Sequence, residues 1–403
     1  MGYRMIQVGT GGFGATWCRE FLQSSLRDGR VQVVAAVDLN PAALQNAQRY
    51  LGLPPERCYT SLEQAFAQNP ADFCTIVVPP AVHEAVVDLA LQHDMDILSE
   101  KPIADTLEAS VRIVQKVTQA GSKMGVTMSN RFGQEKATLR HELRSGRYGR
   151  LDYLVLRLTC NCRTYGSWGA FRHEISDPLL IEAGVHHLDL LAELADSDCE
   201  VVYAESWSPS WAEYAGPSQG LVTMRFENGC RALYEGAKSN AVGLNGWTDE
   251  YVRAECELAT LILDHRGLEV FDYDPAGAWA TAREGSGRRI PLLRGSRWGH
   301  ALLIEQFIDW LDGGDPMETN VEDNLRSVAL VAAAVRSSRT EAPVNVAQLL
   351  ERTLREVRPL GSPSCFPMKV AVKRALTSRF RLCLGCLSGR MTKRSARSVG
   401  HNG

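Results

Sequence analysis

Short apolar runs separated by amphipathic stretches fill the first third of the chain. The runs Met5-Ile6-Gln7-Val8, Val31 to Val37, Phe73 to Val78, Asp96-Ile97-Leu98-Ser99 and Met124 to Met128 are rich in β-branched residues and too short for buried helices, so they predict strands. Between them Cys18, Phe21, Leu22 and Leu26, and then residues 41–50, 82–93 and 106–119, carry apolar positions at helical spacing. Strands that alternate with helices pair in parallel, and the crossover helices cover both faces of the sheet.

After Ser129 the rhythm changes. A connecting helix is predicted over 136–145, and longer runs follow at 151–162, 201–208, 221–226, 230–236, 251–263 and 268–273. Turn signals such as Glu227-Asn228-Gly229 and Asp264-His265-Arg266-Gly267 separate them, which predicts an antiparallel sheet. A helical segment, 178–195, interrupts this sheet, and helices at 299–311 and 321–338 follow it. The expected fold is therefore α/β: a doubly wound parallel sheet over residues 1–129, a second α/β domain with a large open, mainly antiparallel sheet over 130–358, and a tail over 359–403. A length of 403 residues suits two domains.

Composition narrows the classes. Hydrophobic content of 45% and charged content of 23% are those of a globular protein, and a net charge of −3 gives the whole molecule no reason to bind nucleic acid. No run approaches the roughly 20 apolar residues of a membrane span, and no signal-like apolar region precedes the first strand. Eleven scattered cysteines lack the density of a disulfide framework, so reduced thiols and a cytoplasmic location are expected. The tail stands apart: residues 359–403 hold nine Lys or Arg and no Asp or Glu, so disorder is its leading reading, with a basic helix at a membrane surface the alternative.

The chemistry starts at Gly9-Thr10-Gly11-Gly12-Phe13-Gly14, between the first strand and the first helix. Gly9 permits a turn too tight for a Cβ, Gly11 permits a diphosphate to approach the backbone, and Gly14 permits the helix to pack against the sheet. Free N–H groups and the helix dipole hold the negative charge. Asp38 ends the second strand, where its carboxylate accepts from an adenosine ribose and repels a 2′-phosphate. Leu39 and Asn40 offer no cation in exchange, which favours NAD over NADP.

Ligands of such sheets bind beyond the carboxyl ends of the strands. Pro79-Pro80-Ala81-Val82-His83 follows the predicted strand 73–78 and Glu100-Lys101-Pro102 the next, 96–99. Lys101 is either a donor to a substrate oxygen or a surface lysine before a turn. A second constellation, Glu182-Ala183-Gly184-Val185-His186-His187-Leu188-Asp189, puts Glu182 and His186, and His186 and Asp189, on one helical face. A carboxylate there orients an imidazole for general-base work; the alternative is a pair of satisfied core histidines. No metal site is expected: Cys383-Leu384-Gly385-Cys386 is half of one without a second pair.

In this order the motifs resemble those of the Gfo/Idh/MocA family, the glucose-fructose oxidoreductase and inositol dehydrogenase group. The glycine loop 9–14, residues 79–83 against P-(N/P)-x-x-H, residues 100–102 against E-K-P, residues 182–189 against D-x-G-x-H-x-x-D, and Val321 to Ser327 opening the late helix cover residues 3–350. The resemblance implies a Rossmann domain, bound NAD or NADP, and hydride transfer at a sugar, polyol or related carbinol carbon. By position Lys101 and His186 resemble the catalytic pair, with Glu182 standing where the family usually has aspartate. Cofactor contacts are implied for Gly9, Gly11, Gly12, Phe13, Gly14, Asp38, Pro79, Pro80, His83, Glu100 and Lys101. Arg131, in Asn130-Arg131-Phe132, is a candidate substrate contact or a structural ion pair. Trp168, Phe171, Arg172 and His173 are placed before the Glu182 segment as a possible pocket wall, with Trp298 and His300 opposite. The resemblance implies a homodimer or homotetramer paired through the second sheet. Two other activities remain open: a redox-neutral reaction with tightly held NAD, and a non-catalytic dinucleotide sensor.

Overall fold

The computed structural model describes residues 2–357 except 278–280 and 284, so the tail and its expected disorder lie outside the described residues. Six parallel strands, β1 (Tyr3–Val8), β2 (Val31–Val37), β3 (Cys58–Tyr59), β4 (Phe73–Ile76), β5 (Asp96–Ser99) and β6 (Met124–Val126), form one sheet in the order β3-β2-β1-β4-β5-β6. Order reverses between β1 and β4, which opens a crevice at their carboxyl ends.

Side chains alternate across this sheet, as strand geometry requires. Ile6, Cys74, Ile76 and Ile97 meet the helices Leu62–Gln68, His83–Gln92 and Leu107–Ala120. On the opposite face Met5, Phe73 and Leu98 pack with Trp17 and Leu22 and with Leu303, Ile304 and Phe307 of the late helix Gly299–Leu311. That late helix, expected with the second sheet, thus completes the first. Caps fix the helix starts: Ser61 and Thr106 each accept the N–H three residues on, a bond typically worth ~1 kcal/mol.

The second sheet has nine strands: β7 (Leu151–Thr159), β8 (Cys199–Trp207), β9 (Gln219–Phe226), β10 (Arg231–Ala237), β11 (Tyr251–Cys256), β12 (Ala259–Asp264), β13 (Gly267–Asp272), β14 (Arg288–Ile290) and β15 (Val344–Asn345). Their order is β14-β13-β12-β11-β7-β10-β9-β8-β15, antiparallel except for the central pair β7 and β10. The run 251–263, expected as one strand, is a hairpin of β11 and β12. One face packs on the helices Gln134–Arg144, Val185–Ala195 and Val321–Thr340; on the other, Leu221 and Leu233 stand 43% and 38% exposed.

The glycine loop is built as its spacing demands. Gly9 has φ +88°, and a Cβ there would lie 2.1 Å from the Val77 carbonyl oxygen; one on Gly14 would lie 2.4 Å from the Gly9 carbonyl oxygen. Gly14→Ala is therefore expected to force the first helix off the strand end. Its cost is about 1–3 kcal/mol, read as a lowered Tm together with loss of NAD binding in a fluorescence titration.

Candidate active site

The glycine loop leaves donors free. The N–H groups of Gly12 and Phe13, at the start of the helix Phe13–Thr16, bond to no other group of the described residues. Asp38 braces the loop: its Oδ2 accepts from the N–H of Thr10 at 2.8 Å and of Gly11 at 2.9 Å, and its Oδ1 from the N–H of Asn40 at 2.9 Å. The Thr10 hydroxyl lies 3.4 Å from Oδ2 but donates to the Ala43 carbonyl at 2.9 Å, so of the carboxylate's roughly four acceptor sites one, on Oδ1, remains for a ribose hydroxyl. Among the described residues no cation pairs with Asp38. These features fit a dinucleotide with an unphosphorylated ribose.

Four expected cofactor or substrate contacts, His83, Glu100, Arg131 and His173, have partners within the protein. His83 is fully buried, with Nε2 2.9 Å from the Val78 carbonyl and Nδ1 3.1 Å from those of Pro102 and Ile103. It ties the loop after β4 to the loop after β5 and presents no surface to a ligand. Glu100 is also internal: its Oε1 accepts from Trp17 Nε1 at 2.8 Å and lies 3.0 Å from His300 Nε2, and its Oε2 accepts the Lys101 N–H at 3.2 Å. Burial pushes its protonation up, but His300, Lys101 and Trp17 outweigh this and hold it below the usual carboxylate value. His300 stacks on Phe21 with ring centroids 4.1 Å apart, and Phe13, 42% exposed, sits edge-on to both. Glu100 therefore anchors the Lys101 loop from inside. Pro79 and Pro80 remain at the surface beyond β4.

Arg131 answers to the structural reading. Its guanidinium is buried, 2.9 Å from Glu193, 3.6 Å from Asp189 and 3.9 Å from Glu318. Arg140 and Arg144 join the same cluster. His173 is buried as well, with Nδ1 2.8 Å from the Glu213 carbonyl and its ring stacked on Tyr214. Arg131 is thus engaged in ion pairs, whereas His173 keeps a buried Nε2 without a partner.

Lys101, Glu182 and His186 do converge, although not through the expected pairing. Pro178–Gly184 forms a wide π-turn that leads into the α-helix Val185–Ala195. The wider turn breaks the four-residue stacking, and no hydrogen bond joins His186 to Glu182 or Asp189 among the described residues. Asp189 instead accepts from Ser327 Oγ at 2.6 Å. Lys101, whose bond to Pro102 is cis, donates from Nζ to the Glu182 carbonyl at 2.8 Å and lies 3.6 Å from Oε1. The Glu182 carboxylate also takes Arg172 Nε at 2.8 Å and Lys238 Nζ at 3.3 Å. Burial pushes its protonation up, yet Lys101, Lys238 and Arg172 together hold it far below the ordinary range.

His186 is buried, and its Nδ1 has no partner. Burial first, then the charge of Lys101, keep the imidazole neutral well below its usual value of 6.5. Its ring packs on Trp247, which meets Trp168. His187 is the satisfied member of the pair: Nε2 donates to Glu250 at 3.2 Å, and Nδ1 lies 3.0 Å from the Tyr234 hydroxyl.

Lys238 escaped the sequence reading. It continues the inward-facing phase of β10, after Ala232, Tyr234 and Gly236, so strand alternation was the available signal. Its ammonium is fully buried, bonded to the Pro178 carbonyl and Glu182 and 5.1 Å from the Trp168 ring centre.

A dinucleotide fold whose strand ends bring Lys101 onto the Glu182–His186 segment is the arrangement of a nicotinamide-dependent oxidoreductase. Residues 3–128 match the oxidoreductase family's NAD-binding Rossmann fold, and residues 140–346 match its C-terminal alpha/beta domain. The chain belongs to the Gfo/Idh/MocA oxidoreductase family. An uncharacterized protein of Sinorhizobium fredii, y4oX, is 50% identical over 351 residues, spanning 87% of this chain and 98% of that one. The inositol 2-dehydrogenase of Corynebacterium glutamicum strain R is 29% identical over 56% of this chain and 65% of its own length. Among solved structures, an Agrobacterium radiobacter oxidoreductase in complex with NAD+, L-tartaric acid and magnesium has a TM-score of 0.73 at 19% identity, covering 87% of this chain and all of that one. The Bordetella pertussis WlbA dehydrogenase, in complex with NADH and UDP-GlcNAcA, has a TM-score of 0.71 at 21% identity, covering 86% of this chain and 99% of that one. The protein is thus an oxidoreductase with an NAD-binding domain, and the eight described cysteines are free thiols. No described helix is long and apolar enough to cross a membrane.

Proposed function

We propose that the protein exchanges a hydride between NAD and a carbinol carbon of a polyhydroxylated, sugar- or polyol-like substrate, with Lys101 and His186 acting on the reacting oxygen. The observation that carries this reading is the Lys101 ammonium bonded to the Glu182 carbonyl at 2.8 Å, with the buried His186, whose Nδ1 has no partner, on the same segment. NAD, when bound, supplies the hydride acceptor or donor. Gly9 and Gly14 shape the loop, Gly11 would give the diphosphate room, the N–H groups of Gly12 and Phe13 would hold its charge, and Asp38 would take the ribose. Lys101 donates to the substrate oxygen and stabilises negative charge there. His186 takes the hydroxyl proton on oxidation and returns it on reduction. Glu182 keeps the Lys101 ammonium in place. The inositol 2-dehydrogenase among the relatives supports a polyol-type substrate.

A screen of sugars, polyols and their oxidised forms, followed by absorbance of reduced nicotinamide, tests this. Net cofactor reduction with at least one polyhydroxylated compound is expected, and product formation without it would replace the reading by a redox-neutral one. Asp38→Ala is expected to weaken NAD binding about 10- to 100-fold, the equivalent of a charged hydrogen bond, and to narrow the preference over NADP. A cofactor titration measures both.

The outer face of the nine-stranded sheet is where the homodimer or homotetramer would pair.

A further inference from the structure

The buried charges around Glu182 do not balance. Lys101, Arg172 and Lys238 all pair with this carboxylate, and their side chains are 13%, 19% and 0% exposed; buried Glu100 also acts on Lys101 but has His300 at 3.0 Å, so three cations face at most two carboxylates. His186 adds no negative charge, and nor do the neighbouring Trp168, Tyr214 and Trp247 rings. Cys162, whose thiol the Cys160 hydrogen bond and then Lys238 lower to about 7 against the cost of burial, supplies only part of one charge at neutral pH. Other buried ionic clusters among the described residues provide the contrast: Arg131, Arg140 and Arg144 face Asp189, Glu193 and Glu318, and Lys136 faces Glu135 and Glu250. Excess positive charge is therefore a property of this site and not of the interior at large.

Uncompensated charge in a poorly solvated pocket is costly, and an anion brought into it is held strongly. A suitable donor is free. Arg172 spends Nε on Glu182 and Nη1 on the Trp168 carbonyl, both at 2.8 Å, while Nη2 bonds to nothing among the described residues.

We infer that the substrate carries a carboxylate, recognised by Arg172 with Lys238 behind it, so that the site serves a hydroxy acid in preference to a neutral sugar or polyol. The planar guanidinium matches the two oxygens of a carboxylate. A phosphate, with three oxygens to satisfy, would need more donors than the pocket leaves open. Lys238 cannot reach out of its enclosure, so it sets the potential of the site while Arg172 makes the contact. The hydroxyl to be oxidised then lies within the same small molecule, near Lys101 and His186. Atoms and electrons balance as in any carbinol oxidation: the C–H hydrogen leaves as hydride to NAD, the hydroxyl proton leaves to His186, and the carboxylate is unchanged. The inference rests on the oxidoreductase reading for its reaction but not for its binding.

The test compares aldonates of four to six carbons with the alditols of the same configuration, D-gluconate with D-glucitol among them, and with the corresponding sugar phosphates, using the full chain loaded with NAD. Two readouts are taken: cofactor reduction, and the rise in Tm that each compound produces. Wild type is expected to favour a carboxylate by about 30-fold or more in kcat/KM, the size of a buried charge contact. Arg172→Gln should bring that ratio to within threefold of one, and Arg172→Lys should retain part of it. Turnover of alditols as good as that of the acids, or a preference for phosphates, overturns the carboxylate and leaves the dehydrogenase reading standing. If nothing is turned over but the acids alone raise Tm, the anion site stands and the dehydrogenase reading falls. Equal Tm shifts without turnover overturn the anion site too.

Discussion

Replacing His186 by Ala, or Lys101 by Met, is expected to lower kcat by about 10²- to 10⁴-fold, the range for loss of a positioned acid–base group or an oxyanion donor. The Kd for NAD should stay within about threefold, because the diphosphate and ribose contacts lie on the glycine loop and Asp38. Steady-state kinetics on the substrate found in the screen, with a parallel cofactor titration, separates the two quantities. Burial and Lys101 keep His186 neutral well below 6.5, so the base is ready across the neutral range. Activity in the wild type should therefore show no fall that depends on His186 until the pH is well under that value. In His186→Ala any remaining acid limb must come from another group. Full turnover in both variants would remove this pair from the mechanism.

Much of the fold was legible because its elements obey simple periods. The strand Asp96–Ser99 and the helix Gly299–Leu311 fall where the pattern put them. The hairpin of β11 and β12 was not legible: the turn between them, Cys256-Glu257-Leu258-Ala259, has no Gly, Pro, Asn or Asp to mark it, so two strands read as one. The parallel pairing of β7 with β10 also leaves no trace in a period-2 pattern. It depends on which strand is drawn in beside which, and the chain between them is long enough to allow either direction.

The site shows the same division. Residues fixed by local backbone geometry, such as Gly9 and Gly14, could be assigned roles from spacing, because a clash with a neighbouring carbonyl is a local matter. Residues whose role depends on a partner from afar could not. His83 looks like a cofactor contact until the Pro102 and Ile103 carbonyls close over it, and Arg131 waits on Asp189, Glu193 and Glu318 to choose between its two readings. The helical arithmetic that paired Glu182 with His186 assumed a regular α-turn. The π-turn Pro178–Gly184 instead turns the carboxylate toward three cations, one of them on β10's extension. Glutamate at this position is thus explained by its neighbours: it is the common counter-ion of Lys101, Arg172 and Lys238.

That role makes Glu182→Gln the substitution with the largest expected effect on stability. The amide keeps the shape and some hydrogen bonds but takes from two lysines and an arginine the counter-charge they share. Removing one partner of a buried ion pair typically costs about 3–5 kcal/mol, a large part of the ~5–15 kcal/mol that holds a domain folded. A marked fall in Tm and in the urea midpoint is expected, and the double variant Glu182→Gln with Lys238→Met should recover part of it, since burial already disfavours the Lys238 charge. The wild type carries the same dependence on pH. The folded-state value of Glu182 lies below the reference of 4.5, so its stabilisation is complete above that reference and is lost as pH falls toward the folded value. Glu182→Gln should flatten this part of the stability profile. A Tm for Glu182→Gln within a few degrees of wild type, with an unchanged acid profile, would mean that the three cations are neutralised some other way.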